Sequence, residues 1–301
     1  MVTRHEVLTV IHERYRPRNY VEVGIHDGLS LALSRVRTIA IDPNFAITMP
    51  IECDVQLIKA TSDDFFTRRD TIARFPEGCV DFGFIDGMHL FEFALRDFIN
   101  LEKLSAWTSV IVLDDVLPRS IPEAARDRHT DAWTGDVFRV VEVLREYRPD
   151  LITVVLDSSP TGVAVVFGAD PTNTTLRDRY DEIIAAHTMP DPQPVPEHVL
   201  RRAMATDPPS VLESSVWSTL IEAREAGTDR ETGLPEVRRI IEAAARPARL
   251  RAIPPSARAS KKSSAPAPTA RNRAVSLVRR QLRPLRRALR NARRKKRVAH
   301  R

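Results

Sequence analysis

Hydrophobic and polar positions alternate in short blocks along the first 170 residues. Near-continuous apolar runs stand at NYVEV (19–23), TIAID (38–42), VQLIK (55–59), VDFGFI (80–85), SVIVL (109–113), LITVVL (151–156) and VAVVFG (163–168). Such runs suit strands covered on both faces, as in a parallel sheet. Between them apolar residues recur at helical spacing over 29–34, 62–69, 89–104 and 136–147, and a further helical pattern over 4–14 precedes the first run. Repeated strand–helix alternation predicts a doubly wound, mostly parallel α/β fold over residues 1–170. Only the short segment 157–162, rich in Ser, Pro and Gly, separates the last two runs. That is turn chemistry, so the final strand is expected to be an antiparallel hairpin partner.

After Pro171 the strand signal stops. TTLRDRYDEIIAAH, PPSVLESSVWSTLIEAREAG and LPEVRRIIEAAAR are helical patterns divided by proline-rich breaks, which predicts a helical extension over 171–246. From Pro247 the chain is dominated by Ala, Pro, Ser, Arg and Lys. Such a composition buries too little apolar surface to fold, and a disordered basic tail over 247–301 is expected.

Charge sharpens this division. The net charge of +6 hides an uneven distribution, because 19 of the 46 basic residues and none of the 40 acidic ones lie in 247–301. The remaining chain therefore carries −13. Within 271–301, Val275, Val278, Leu282, Leu285 and Leu289 fall at roughly helical spacing amid arginines, with Pro284 placed to kink such a helix. This pattern suits an anionic membrane surface, and equally a solvated tail. Nucleic acid would attract the same charges, but the tail has no aromatic residue for base stacking, which makes that partner a poor match.

Cys53 and Cys79 are the only cysteines and form no CxxC pair, which excludes a disulfide scaffold or a thiolate zinc site and fits a reducing cytoplasm. The opening residues lack the apolar core of a signal peptide, and no run approaches the roughly 20 residues of a membrane span. The expectation is a soluble cytoplasmic protein, peripheral at the inner membrane surface if the tail binds there. The sequence is compatible with a homo-oligomer and leaves the oligomeric state open.

The candidate chemistry sits at strand ends. VEVGIHDGLS (21–30) follows the first strand, with Gly24 and Gly28 flanking a turn. The glycines serve either a tight turn or the close approach of a ligand, and free N–H groups of a following helix would suit an anion. Asp42 ends the second strand, where nucleotide-binding α/β folds place an acid on ribose hydroxyls. The turn reads ExGxxxG rather than GxGxxG, which argues against a dinucleotide. Ser62 and Asp63 follow the third strand, where they either contact an adenine or cap a helix. Asp86 ends the fourth strand in FIDGMH, and Asp114 and Asp115 end the fifth in VIVLDDVLP. If those strands are neighbours, three carboxylates converge at one rim, and such crowding calls for a cation. Hard oxygen donors favour Mg²⁺. His89 is placed to remove a hydroxyl proton. Each of these residues also has a bland reading as a cap, a turn or a solvated side chain.

In this order, VEVGIHDGLS, AIDPN, VDFGFIDGMHLFEFALRDF and VIVLDDVLP resemble the class I S-adenosylmethionine-dependent methyltransferases. The branch most similar contains metal-dependent macrolide-sugar O-methyltransferases, with catechol O-methyltransferase a more distant relative. The likeness covers roughly residues 15–170 and implies a Rossmann-like seven-stranded sheet. It implies S-adenosylmethionine held by Glu22, Gly24, Gly28, Ser30, Asp42, Ser62, Asp63 and Asp86. It further implies Mg²⁺ on Asp86, Asp114 and Asp115, and His89 as the catalytic base. The expected acceptor is a small molecule or glycan, a hydroxyl of a sugar or glycosylated natural product. LPRSIPEAARDRHTDAWTGDVFR (117–139) is long enough to form a lid over it, with Arg126, Arg128, His129, Trp133 and Asp136 as candidate contacts. Two rivals stay open: a non-catalytic interaction protein on the cofactor fold, and a hydroxylase-like oxidative enzyme holding Fe²⁺ on the same scaffold.

Overall fold

The computed structural model describes residues 1–68 and 75–246. The basic tail, with its expected membrane-facing segment, lies outside the described residues. Helix α1 (Arg4–Tyr15) leads into β1 (Asn19–Val23), a single 3₁₀ turn η1 (Leu31–Leu33), β2 (Arg37–Ile41), β3 (Val55–Ile58), α2 (Ser62–Phe66) and β4 (Val80–Ile85). Then come α3 (Phe91–Lys103), β5 (Ser105–Asp114), α4 (Phe138–Tyr147), β6 (Ile152–Leu156) and β7 (Val163–Phe167). Six helices follow: α5 (Thr175–Asp178), α6 (Tyr180–His187), α7 (Glu197–Leu200), α8 (Pro208–Leu212), α9 (Val216–Ala226) and α10 (Arg230–Ala244).

The strands form one sheet in the order β3-β2-β1-β4-β5-β7-β6. All neighbours are parallel except β7, which runs antiparallel to both β5 and β6. Their near-continuous apolar runs are explained by cover on both faces. On one face Val21, Val23, Ile39 and Ile85 meet Phe91, Leu95 and Phe98 of α3 and Val140 and Leu144 of α4. On the other, Tyr20, Phe82, Phe84, Val110 and Val165 meet Val7, Leu8 and Ile11 of α1 and Trp217, Leu220 and Val237 of the last two helices. Each such side chain, fully buried, contributes roughly 1.5–3 kcal/mol.

The β1–β4–β5 order brings the ends of those three strands together, as the charge-crowding argument requires. One expected element differs. The segment 29–34 is not an α-helix: residues 24–30 form a loop and only Leu31–Leu33 turn. The Leu33 and Ser34 N–H groups donate three residues back, to the Ser30 and Leu31 carbonyls at 3.1 Å each, so the segment closes as a 3₁₀ turn. Further on, His89 has a positive φ of 52° and Leu90 caps α3, so that helix starts two residues later than its apolar pattern suggests.

The residues after 170 are joined to the sheet. Arg224 on α9 pairs with the buried Asp81 at 3.2 Å, beside the bidentate Arg18 pair on the same carboxylate. The Trp107 indole N–H donates to the Thr228 carbonyl at 2.7 Å. No helix among the described residues is long and apolar enough to cross a membrane.

Candidate active site

The turn after β1 is built around Asp42. Its Oδ2 accepts the backbone N–H groups of Ile25 and His26, each at 3.0 Å, and Oδ1 accepts that of Asn44 at 2.6 Å. The carboxylate is partly exposed, so it retains lone pairs for a ligand while holding the loop. Gly24 has φ +92°, and the space a Cβ would fill is occupied by the Asp86 carbonyl. Its missing side chain therefore admits backbone, not the ligand expected from the sequence. Gly28, at φ +84°, lies against Ile47. Glu22 is buried and accepts a 2.5 Å hydrogen bond from Ser30, so these two expected cofactor residues meet each other. Burial drives the Glu22 carboxyl up to about 8, against the opposing effect of the Ser30 and Tyr20 hydroxyls.

Asp63 forms a bidentate pair with Arg96 at 2.5 and 2.6 Å. Thr61, not Ser62, caps α2 by accepting the Asp64 N–H at 3.1 Å. Ser62 faces the buried Asp97, whose carboxyl is pushed up to about 7, chiefly by burial and against that hydroxyl. The pairing of Asp63 with Arg96 removes it from the set of free ligand contacts, and the structural reading of TSDDFF as a capped helix start holds.

Asp86, His89 and Asp115 come together at the carboxyl ends of β4 and β5. His89 Nε2 is 3.0 Å from Asp86 Oδ1, and Nδ1 is 2.8 Å from Asp115 Oδ2. Nδ1 also lies 2.7 Å from the Trp133 carbonyl. Asp115 has φ +63° and its Oδ1 accepts the Thr161 hydroxyl at 2.6 Å. Gly135 lets the lid cross directly over the His89 carbonyl, where a Cβ would collide. Burial alone would lower the His89 pKa, but Asp115 and then Asp86 outweigh it and raise it to about 10. The imidazole is thus a cation between two carboxylates, whereas the sequence suggested a base titrating near neutrality. Burial tends to raise the Asp115 carboxyl, yet the His89 charge and the Thr161 hydroxyl hold it below its ordinary value.

Asp114 turns away from this group. Its Oδ2 contacts the Arg4 guanidinium, which also lies 3.4 Å from Asp86 Oδ2. Asp114 Oδ1 is sealed from solvent and accepts no hydrogen bond. Burial, followed by the Asp115 and Asp86 charges, raises the Asp114 carboxyl to about 8, and Arg4 opposes the rise. Arg4 and Thr161 were missed in the sequence, where nothing links either residue to strand ends far along the chain.

The donor set could hold a divalent cation that takes the place of the proton on His89. Asp86, His89 and Asp115 each present a ligand atom within 4.8 Å of the others. Asp114 adds a buried oxygen with unused capacity. The expected ligand trio of Asp86, Asp114 and Asp115 is thereby split, two acids on His89 and one on Arg4.

Of the residues expected to contact an acceptor, Trp133, Arg126, Arg128 and Asp136 are engaged by the protein itself. Trp133 stacks on His89 with centroids 5.3 Å apart and an interplanar angle of 10°, while its N–H donates to the Ala125 carbonyl at 2.6 Å. Arg126 donates to Glu92 at 2.7 and 2.9 Å and also pairs with Asp136. Asp136 accepts the Phe91 N–H at 2.8 Å at the start of α3. Arg128 donates to the carbonyls of Thr130 and Asp131, and His129 is exposed.

Residues 21–116, from β1 past the paired acids, match the family model described as a methyltransferase domain. The match spans about a third of the chain. Solved structures similar to part of the chain include the O-methyltransferase TomG from Streptomyces achromogenes, involved in tomaymycin synthesis and in complex with SAM. It is 21% identical, with a TM-score of 0.41 over 56% of this chain and 80% of that one. The O-methyltransferase from Bacillus cereus in complex with SAH is 17% identical, with a TM-score of 0.39 over 56% and 82%. The SAH-bound Podospora anserina methyltransferase PaMTH1 is 16% identical, with a TM-score of 0.40 over 56% and 80%. No curated protein matches the chain. The matched segment takes in Glu22, Asp42, Asp86, His89, Asp114 and Asp115; Arg4 and Thr161 lie outside it.

Proposed function

We propose that the protein is an S-adenosylmethionine-dependent O-methyltransferase acting on a hydroxyl of a sugar, a glycan or a glycosylated natural product. The observation that carries this reading is that one methyltransferase-domain match, 21–116, spans the turn held by Asp42 and the acids gathered at the β4 and β5 ends. Asp42, beside the β1 turn, would accept ribose hydroxyls. The acceptor hydroxyl would lie at the rim beside His89, bounded by the Trp133 ring and by the polar groups of the lid.

S-adenosylmethionine would supply the methyl group, with the sulfonium sulfur as leaving group, and the hydroxyl proton would pass to His89 once a divalent ion on Asp86 and Asp115 has displaced the proton that these acids otherwise hold on its ring. Asp86 and Asp115 then hold the resulting imidazolium on both ring nitrogens. Mg²⁺, held by Asp86 and Asp115 with Asp114 behind them, would supply the charge that lowers the pKa of a bound hydroxyl. The fixed placement of His89 between two acids, with the lid above it, orients the acceptor and excludes water.

The test is a calorimetric titration of S-adenosylhomocysteine into the full chain. One-to-one binding in the micromolar range, weakened at least about tenfold in Asp42→Ala, is expected. Folded protein that takes up no S-adenosylhomocysteine would remove the methyltransferase reading.

A further inference from the structure

Arg4 opens α1, and its place is fixed from two sides. Thr3 and Glu6 form a reciprocal capping box at the helix start. The Ser159 N–H donates to the Val2 carbonyl at 2.8 Å, and the Arg4 N–H donates to the Ser159 carbonyl at 3.1 Å. Residues 2–4 are thereby joined to the β6–β7 turn, the same turn that sends Thr161 to Asp115. The guanidinium is carried across the rim of the sheet, where NH1 meets Oδ2 of both Asp114 and Asp86. Its side chain is only 30% exposed.

Three carboxylates at the rim thus share two cationic partners from within the chain: His89 between Asp86 and Asp115, and Arg4 between Asp114 and Asp86. A divalent ion taken by Asp86 would meet one carboxylate oxygen against His89 and the other against Arg4, and an ion that also reached Asp114 would stand beside the same guanidinium. Positive centres a few ångströms apart repel strongly in a buried site. The buried and unused Oδ1 of Asp114 shows that Arg4 leaves part of this carboxylate's donor capacity unspent.

We propose that Arg4 is an internal competitor for the metal position. It neutralises the rim in the metal-free protein and sets the divalent concentration at which an ion displaces it from Asp86 and Asp114. The inference rests on the metal-dependent reading above and adds a residue from outside the matched domain that controls the metal.

The experiment titrates Mn²⁺ into the full chain at low ionic strength, following free Mn²⁺ by its electron paramagnetic resonance signal. Wild type is compared with Arg4→Gln and Arg4→Met, the second keeping an unbranched apolar stem if the first perturbs the fold. Both neutral variants should bind Mn²⁺ roughly tenfold or more tightly than wild type. Equal or weaker binding in a folded neutral variant, or no Mn²⁺ binding by any of the three proteins, overturns the competitor role. S-adenosylhomocysteine titrations of the same samples separate the two readings. Loss of cofactor binding with Mn²⁺ tightening intact removes the methyltransferase assignment alone.

Discussion

Glu22 shows what a single buried acid does to this protein. Its ordinary pKa of 4.5 rises to about 8 in the fold, so the folded protein binds a proton there that the unfolded chain releases above pH 4.5. Stability contributed by the neutral carboxyl is fully present below 4.5 and declines as pH rises to about 8, by on the order of 5 kcal/mol. Glu22→Gln keeps the shape and removes the ionisation. Urea unfolding at pH 5, 7 and 9 should show the variant gaining on wild type as pH increases, and parallel curves would refute the shift. At this scale much of the site was legible in the sequence. Asp42, Asp86 and Asp115 end apolar runs, and strand ends in such folds point to one rim. Asp63 was misplaced because its partner, Arg96, lies a full strand away in sequence and is adjacent only after folding. The charge state of His89 was also hidden, since it depends on two acids meeting around it.

Among the elements, α9 does most to fasten the C-terminal helices to the sheet. Trp217 is 2% exposed, lies 5.8 Å from the Phe167 ring of β7 and donates its N–H to the Leu212 carbonyl at 2.9 Å. Trp217→Ala should cost roughly 3–5 kcal/mol of global stability. Fluorescence of the remaining tryptophans and far-ultraviolet circular dichroism should report one shared, shifted transition. A first transition confined to helix signal would show α9 unfolding independently. Strands were the most readable elements, because burial on both faces leaves uninterrupted apolar runs. The segment 29–34 was not: its pattern allows a helix, but the Leu33 and Ser34 N–H groups close on carbonyls three residues back and the turn ends at Leu33.

For the whole molecule, the apolar side of the sheet formed by Val110, Val165 and Phe167 is covered by α1 together with α8–α10. A chain ended after residue 170 would leave a large part of that face in water, and exposed patches of this kind drive association. It should elute as aggregate in gel filtration, while residues 1–246 run as a discrete species. A stable, dispersed 1–170 chain would establish the first 170 residues as self-sufficient. The sequence indicated the helices of this extension but not their target, since an amphipathic pattern names a face without naming what it packs on. Arg4 also has a consequence for synthesis. Its carboxylate partner Asp114 is translated 110 positions later, and the turn that anchors it lies beyond even that. Contacts so distant along the chain close slowly and late. A nascent chain therefore carries the turn after β1 long before the rim of acids at the β4 and β5 ends has all its partners, and that rim is among the last parts of the growing polypeptide to close.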